Sequence, residues 1–173
     1  MKVGDIYIEA LKLMFATGME DITADPEAGG ITLAMARMDA QYADLLLAMP
    51  GSLARCLRDM EVRRVCVAAE GFEAPGAPSE GEDGEAVPPR RTRRTLPTVT
   101  ALTDDTEELE VPEVCAVLAP WYIAADLYRR EEPALASECR ERYEAGVAQI
   151  LASADLEAIP QGTFLQFGEG FMD

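Results

Sequence analysis

Residues 109–151 read LEVPEVCAVLAPWYIAADLYRREEPALASECRERYEAGVAQIL, and this stretch decides the fold. Its apolar spacing predicts two amphipathic helices that meet at an acidic, proline-marked corner, residues 129–133. The first of these helices should run from about residue 112 to 130 with a bend at Pro120, and the second should start at Pro133. Its aromatic side chains are expected to pack between elements or between subunits, namely Trp121, Tyr122, Tyr128 and Tyr143.

The composition is typical of a folded globular chain. A length of 173 residues fits one ordinary domain, and a hydrophobic content of 49% exceeds that of intrinsically disordered chains. The 32 acidic residues outnumber 15 basic ones and give a formal net charge of −17, which opposes non-specific attachment to nucleic acid or anionic membranes. A cationic partner remains compatible with this charge.

The sequence indicates neither a membrane span nor a secretion signal. Its apolar runs fall short of the roughly 18 residues that suggest a membrane span, and the N-terminal apolar pattern includes Asp5 and Glu9. We therefore expect no membrane partner. The cysteines lack a CxxC pair and lie in apolar or amphipathic segments, so buried free thiols are expected at Cys56, Cys66, Cys115 and Cys139.

Two further helices are predicted in the first third of the chain. Apolar residues recur at intervals of three and four from residue 3 to 15, and again from residue 42 to 60. The second pattern keeps its phase across Pro50-Gly51, which predicts a kink or two abutting helices with Ser52 as a new N-cap. Residues 19–39 between the two helices should form a surface loop that ends in a short apolar anchor at Ile31 and Leu33.

A β insertion is predicted at about residues 62–102. Val62, Val65 and Val67 mark one candidate strand, and Leu96–Leu102 mark a second. Residues 71–89 between them are rich in Gly, Pro and Glu, which favours a flexible hairpin tip. The predicted fold class is therefore mainly α: a small bundle of about four helices with a β-hairpin insertion, a flexible hairpin tip and an extended C-terminal arm. A single helical domain would occupy residues 1–152, and the arm would occupy residues 153–173.

The sequence contains little that favours catalysis. Histidine is absent, which removes the usual general base and the commonest metal ligand. Asp104 and Asp105 lack the ligand series of a calcium loop and favour a solvated turn, and no phosphate-binding glycine motif is present. Ser52 and Ser137 have no histidine to activate them. We therefore predict a protein that is not an enzyme and needs no cofactor or metal.

Two segments are candidates for partner binding. One is a basic cluster, whose members either pair with the acidic residues 80–85 within or between subunits, or contact DNA or an acidic partner: Arg90, Arg91, Arg93 and Arg94. The other is the C-terminal arm, whose large apolar residues either fold back on their own domain or insert into a neighbouring subunit or another partner: Phe164, Leu165, Phe167, Phe171 and Met172.

Three segments together resemble tailed-phage head–tail connector proteins, also called adaptor or head completion proteins. They are VGDIYIEAL at residues 3–11, MPGSLARCLRDMEVRRV at residues 49–65, and residues 102–151. The resemblance implies a homo-oligomeric ring of about twelve copies beneath the portal protein, with DNA passing through its centre without sequence-specific binding. It also implies a next neck or tail-completion protein as partner, and a place in the neck of a virion assembled in the host cytoplasm. The chain departs from the family at residues 71–89, where related proteins have a more regular β portion.

A second hypothesis is an acidic binding protein that mimics DNA and inhibits a cationic host enzyme. Mimicry predicts carboxylates spread over one continuous face, and many acidic residues here cluster instead in the helix corner, the hairpin tip and the helix ends. An acidic lumen, in contrast, would suit a ring because like charge suppresses adhesion to the moving phosphates. This distribution favours the connector.

Overall fold

The computed structural model describes residues 1–15, 22–23, 31–70 and 96–157, and these form a mainly helical bundle. The predicted fold class is confirmed in this respect. The elements, in chain order, are α1 (Val3–Met14), β1 (Ile22–Thr23), β2 (Ile31–Thr32), α2 (Leu33–Met38), α3 (Ala40–Val62), α4 (Val65–Glu70), α5 (Glu113–Ala116), α6 (Ala119–Leu127) and α7 (Pro133–Glu157).

Helix α1 is largely buried in the bundle. It packs against α6 and is buried on more than the single face that its spacing predicted, at Val3, Gly4, Ile6, Tyr7, Ile8, Ala10, Leu11 and Met14. The chain segment before α5 covers the N-terminus of α1. There, Val3 N–H donates to the Glu107 carbonyl at 3.0 Å, and Gly4 N–H donates to the Asp105 carbonyl at 2.8 Å. A Cβ at position 4 would lie 2.9 Å from that Asp105 oxygen, so this close approach requires glycine.

Helix α3 continues through Pro50 as a single element, and its buried side chains follow the predicted phase. The prediction that Ser52 caps a new helix is wrong. Ser52 lies inside α3, fully buried, and its Oγ donates to the Asp126 Oδ2 of α6 at 2.7 Å. The cap of α3 is Asp39, whose carboxylate accepts from the Gln41 N–H at 2.8 Å.

The helix predicted over residues 112–130 is divided into α5 and α6. Pro120 occupies the first turn of α6 rather than a bend inside a longer helix. A proline is well tolerated there because the N–H that it lacks would have no partner within the helix. Helix α7 starts at Pro133 as predicted, but it extends beyond residue 152 to Glu157, so residues 153–157 are helical rather than part of an arm.

The predicted β-hairpin is not seen in the described residues. Residues 65–70 form α4 instead of a strand, after a turn in which Arg64 has a φ of 58°. The strand prediction placed Val65 and Val67 on one face, whereas the helix buries Val65 fully and leaves Val67 44% exposed. Residues 96–102 form no strand. Val99 is buried in the core, and a turn starts at Thr100. The predicted tip, residues 71–89, lies outside the described residues.

The predicted surface loop at residues 19–39 contains more regular structure than expected. Strands β1 and β2 pair in parallel, with Ile22 opposite Ile31 and Thr23 opposite Thr32. Helix α2 follows β2 directly, and the Thr32 Oγ1 caps it by accepting from the Met35 N–H at 3.3 Å. The apolar anchor is confirmed at Leu33, which is buried in the core.

Helix α7 approaches the α5–α6 junction closely at Gly146. A Cβ there would lie 3.1 Å from Leu118 Cδ1 and closer still to Cδ2, so we expect Gly146→Ala to lower the free energy of unfolding by about 1–2 kcal/mol. Alanine's advantage in helix propensity, about 1 kcal/mol, offsets only part of this overpacking. Urea denaturation checks the change. In a Leu118→Ala background, where the obstacle is absent, the same substitution should stabilise by about 0.5–1 kcal/mol. Destabilisation of equal size in both backgrounds would contradict this account.

The contact between α3 and α6 at Asp126 predicts a pH-dependent contribution to stability. Burial opposes ionisation of Asp126, but hydrogen bonds from Arg55 and Ser52 outweigh it and lower the pKa of this carboxyl. The stabilisation is therefore present above the ordinary aspartate pKa of about 3.9 and is lost as the pH falls through the lower folded-state pKa.

We expect Asp126→Asn to cost about 1 kcal/mol at neutral pH, a modest value because the Arg55 side chain is 56% exposed. The difference from the wild type should shrink between about pH 5 and about pH 2, as measured by urea denaturation at each pH. Asp44→Asn, which changes an exposed carboxylate of α3, is the control and should stay within about 0.5 kcal/mol. A cost that does not change with pH would exclude this ionisation as its source.

Candidate functional site

A surface groove lies between α2, the first half of α3 and the turn at residues 101–105. Its volume is about 530 Å³. We call it the acidic groove, because its lining carries three carboxylates and one guanidinium. The lining residues are Arg37, Ala43, Asp44, Leu46, Leu47, Pro50, Ala101, Thr103, Asp104 and Asp105.

An ion pair between Arg37 and Asp105 fixes the two walls of the groove to each other. Arg37 Nη2 donates to Asp105 Oδ1 at 2.7 Å, and Nη1 donates to Oδ2, so the contact is bidentate. The hydrogen bond to Asp105 raises the pKa of Arg37. Because Arg37 is already occupied, the groove is not suited to an anionic ligand.

The remaining carboxylates of the groove belong to Asp44 and Asp104, and both residues are exposed. Asp104 Oδ1 accepts hydrogen bonds from the Thr106 N–H at 2.8 Å and from the Thr106 Oγ1 at 2.7 Å, and the backbone hydrogen bond is the main cause that lowers the pKa of Asp104. A carboxylate held in this way stays ionised at neutral pH. The groove therefore presents net negative charge.

The hydroxyl of Tyr7, on α1, is close enough to the Arg37–Asp105 pair for both charges to influence its pKa. Burial, followed by the Asp105 charge, raises the pKa of Tyr7 to about 12, so the hydroxyl is protonated at neutral pH. Tyr7 is 1% exposed, and its hydroxyl has no hydrogen-bond partner within the described part of the chain. A buried hydroxyl left in this state is unfavourable, and such groups usually bind a ligand, water or a partner.

Large apolar side chains are exposed at one residue of the groove lining and at two residues next to the lining in the sequence. Leu47 lines the groove and is 75% exposed, Met38 follows the groove residue Arg37 and is 81% exposed, and Leu102 lies between the groove residues Ala101 and Thr103 and is 95% exposed. We call Met38, Leu47 and Leu102 the apolar rim. A carboxylate-lined groove with an apolar rim is suited to a basic segment, whose charged groups reach the carboxylates while its aliphatic stems cover the rim.

The four predicted aromatic residues pack within the protomer. Tyr143 is fully buried, and its hydroxyl donates to Asp59 Oδ2 at 2.7 Å. Tyr122 makes an edge-to-face contact with Tyr143, and the Arg140 guanidinium lies 4.7 Å from its ring centre. Tyr128 packs edge-on against Phe15, and the Arg142 guanidinium lies over the Trp121 ring, 5.9 Å from its centre. These contacts join elements of one protomer, which is one of the two packing modes predicted for these residues.

The other predicted site residues are not brought into this site. The basic cluster Arg90, Arg91, Arg93 and Arg94 and the C-terminal residues Phe164, Leu165, Phe167, Phe171 and Met172 lie outside the described residues. Asp104 and Asp105 lie in a turn, as predicted. Arg37, Asp44 and Leu47 were not predicted as parts of a site. No local signal in the sequence marks them, because Arg37 and Asp105 are 68 positions apart.

The metal-binding and thiol side chains of the described residues are arranged as follows. They contain no group of three or more His, Cys, Asp or Glu side chains that could hold a metal ion. All four cysteines are buried thiols, as predicted, and burial raises the pKa of Cys56 and Cys139. A thiol with a raised pKa is a poor nucleophile at neutral pH.

No helix within the described ranges is long and apolar enough to cross a membrane. Comparison with known proteins found no matching family model, curated protein or solved structure.

The Tyr7 hydroxyl can be tested by its removal. Because it has no hydrogen-bond partner among the described residues, we expect Tyr7→Phe to leave the free energy of unfolding unchanged or to raise it by up to about 1 kcal/mol. Tyr143→Phe is the matched comparison, since it removes a hydroxyl that donates to Asp59, and it should cost about 1–2 kcal/mol. Chemical denaturation of both variants decides the question. An equal loss in the two variants would mean that the Tyr7 hydroxyl is already satisfied.

Proposed function

We propose that this protein is a head–tail connector of a tailed phage, a structural virion protein that forms a ring beneath the portal protein through which DNA passes. The ring would contain about twelve copies and would lie in the neck of a virion assembled in the host cytoplasm. The observation that carries the proposal is the apolar rim, whose side chains are 75–95% exposed on a chain of net charge −17. Such side chains favour contact with another protein surface.

The helical protomer is consistent with this function. Its aromatic side chains are used for packing between its own helices, which supports a rigid body rather than a segment that folds on binding. A rigid protomer suits a ring because each contact must repeat at the same angle for the ring to close. The negative net charge suits a channel for DNA, since it weakens adhesion to phosphates.

Electron microscopy of the purified protein, alone and mixed with a candidate portal protein, tests the proposal directly. Rings of uniform size, or a collar bound to the portal, are expected. A protein that stays monomeric at high concentration and ignores the portal would overturn the connector. If that monomer competes with duplex DNA for a cationic enzyme, the DNA-mimic hypothesis replaces it.

Deletion of residues 161–173 should separate folding from assembly. Helix α7 ends at Glu157, so the truncated protein should keep its helical circular dichroism spectrum and its melting temperature. Assembly should weaken, because the deletion removes Phe164, Leu165, Phe167, Phe171 and Met172, which we propose to contact the portal protein or a neighbouring subunit. Sedimentation velocity and a portal pull-down measure the loss.

The matched control for this deletion replaces residues 161–173 with a Gly/Ser segment of equal length, which keeps the chain length and removes the apolar side chains. It should behave as the deletion does. Normal rings and normal portal binding by both variants would contradict a role for the C-terminal residues.

A further inference from the structure

We propose that the acidic groove is the docking site for a second copy of this chain, which inserts the basic cluster Arg90–Arg94. The inference rests on the proposed ring and specifies one contact that would close it. Each copy would offer its groove to one neighbour and its cluster to the other, which is the heterologous arrangement that generates rings.

Charge is the first argument for this pairing. Two copies that each carry a net charge of −17 repel one another, so a contact between them needs a local meeting of opposite charges. Four of the 15 basic residues lie within the five positions 90–94, the only dense positive cluster in the sequence. The groove supplies the complementary charge through Asp44 and Asp104, which are exposed and do not take part in the Arg37–Asp105 pair.

The shape and surroundings of the groove are the second argument. Its volume of about 530 Å³ lies within the range of about 300–1,000 Å³ that holds ligands of moderate size, so it has room for arginine side chains. Guanidinium groups bind carboxylates in a bidentate manner, and arginine stems pack well on apolar surface. Leu47, which lines the groove and is 75% exposed, provides such a surface.

The chemistry of arginine is the third argument. Arginine donates five hydrogen bonds and accepts none, so it complements the exposed carboxylates of the groove.

A charge-swap experiment tests the inference. The groove variant is Asp44→Lys with Asp104→Lys, and Asp105 is kept because it binds Arg37. The cluster variant changes Arg90, Arg91, Arg93 and Arg94 to Glu. Each variant alone should require at least about tenfold more protein to assemble in sedimentation velocity, because like charges then face each other. An equimolar mixture should assemble as the wild type does, since each groove then meets a cluster of opposite charge on the other variant.

The matched control is Glu61→Lys with Glu141→Lys, which makes the same change in net charge on exposed residues outside the groove lining. It should not weaken assembly. Circular dichroism melting verifies the fold of every variant. A synthetic peptide of residues 90–96, RRTRRTL, provides a second measurement, and it should bind the wild type at low salt and bind the groove variant at least about tenfold more weakly.

The outcomes separate this inference from the proposed function. If the wild type forms rings and the groove variant assembles normally, the inference about the groove is wrong and the proposed connector function is unaffected. Restoration in a chain that carries both sets of changes, without restoration in the mixture, would place the cluster in its own groove and overturn docking between copies. A wild type that never assembles would overturn both.

Discussion

The packing of the buried helix α1 against α6 is the constraint from which the groove follows, and α6 is also the helix that α3 and α7 contact. An N-terminal helix in this position must be covered on several sides, by α6 along its length and by residues 105–109 across its N-terminus. Gly4 permits this cover because its missing side chain lets the Asp105 carbonyl approach the helix. The same segment places Asp105 where Arg37 can reach it. The acidic groove is therefore a consequence of how the core closes over its first helix.

The parts of the fold that could be predicted from the sequence are those specified by local spacing. The phase of α3 and the start of α7 at Pro133 follow from residues within a few turns of each other, and both were predicted. Helix α4 was missed because a run of six residues fits both a strand and a helix, and its contacts with α7, α3 and α5 form only in the folded chain. The groove could not be predicted, because its walls come from distant parts of the sequence that meet only after folding.

The arginines of the protomer show how the negative charge is arranged. Arg37, Arg55 and Arg63 pair with carboxylates of distant segments at Asp105, Asp126 and Glu144. These pairs join α2 to the turn at residues 101–105, α3 to α6, and the end of α3 to α7. Part of the positive charge is thus used to orient the helices, and unpaired carboxylates such as Asp44 remain at the surface. This arrangement leaves a surface that repels phosphates and also repels other copies of the chain.

Such mutual repulsion limits how this chain can assemble. At moderate salt, near 0.1 M, charges separated by more than about 10 Å are largely screened, so the net charge acts weakly at a distance while contacts within a groove keep their strength. Burial of exposed side chains such as Leu47 and Leu102 depends little on salt. Short-range contacts therefore decide whether two copies associate. A surface that combines carboxylates with an apolar rim supplies both the charge that orients a basic partner segment and the apolar area that holds it.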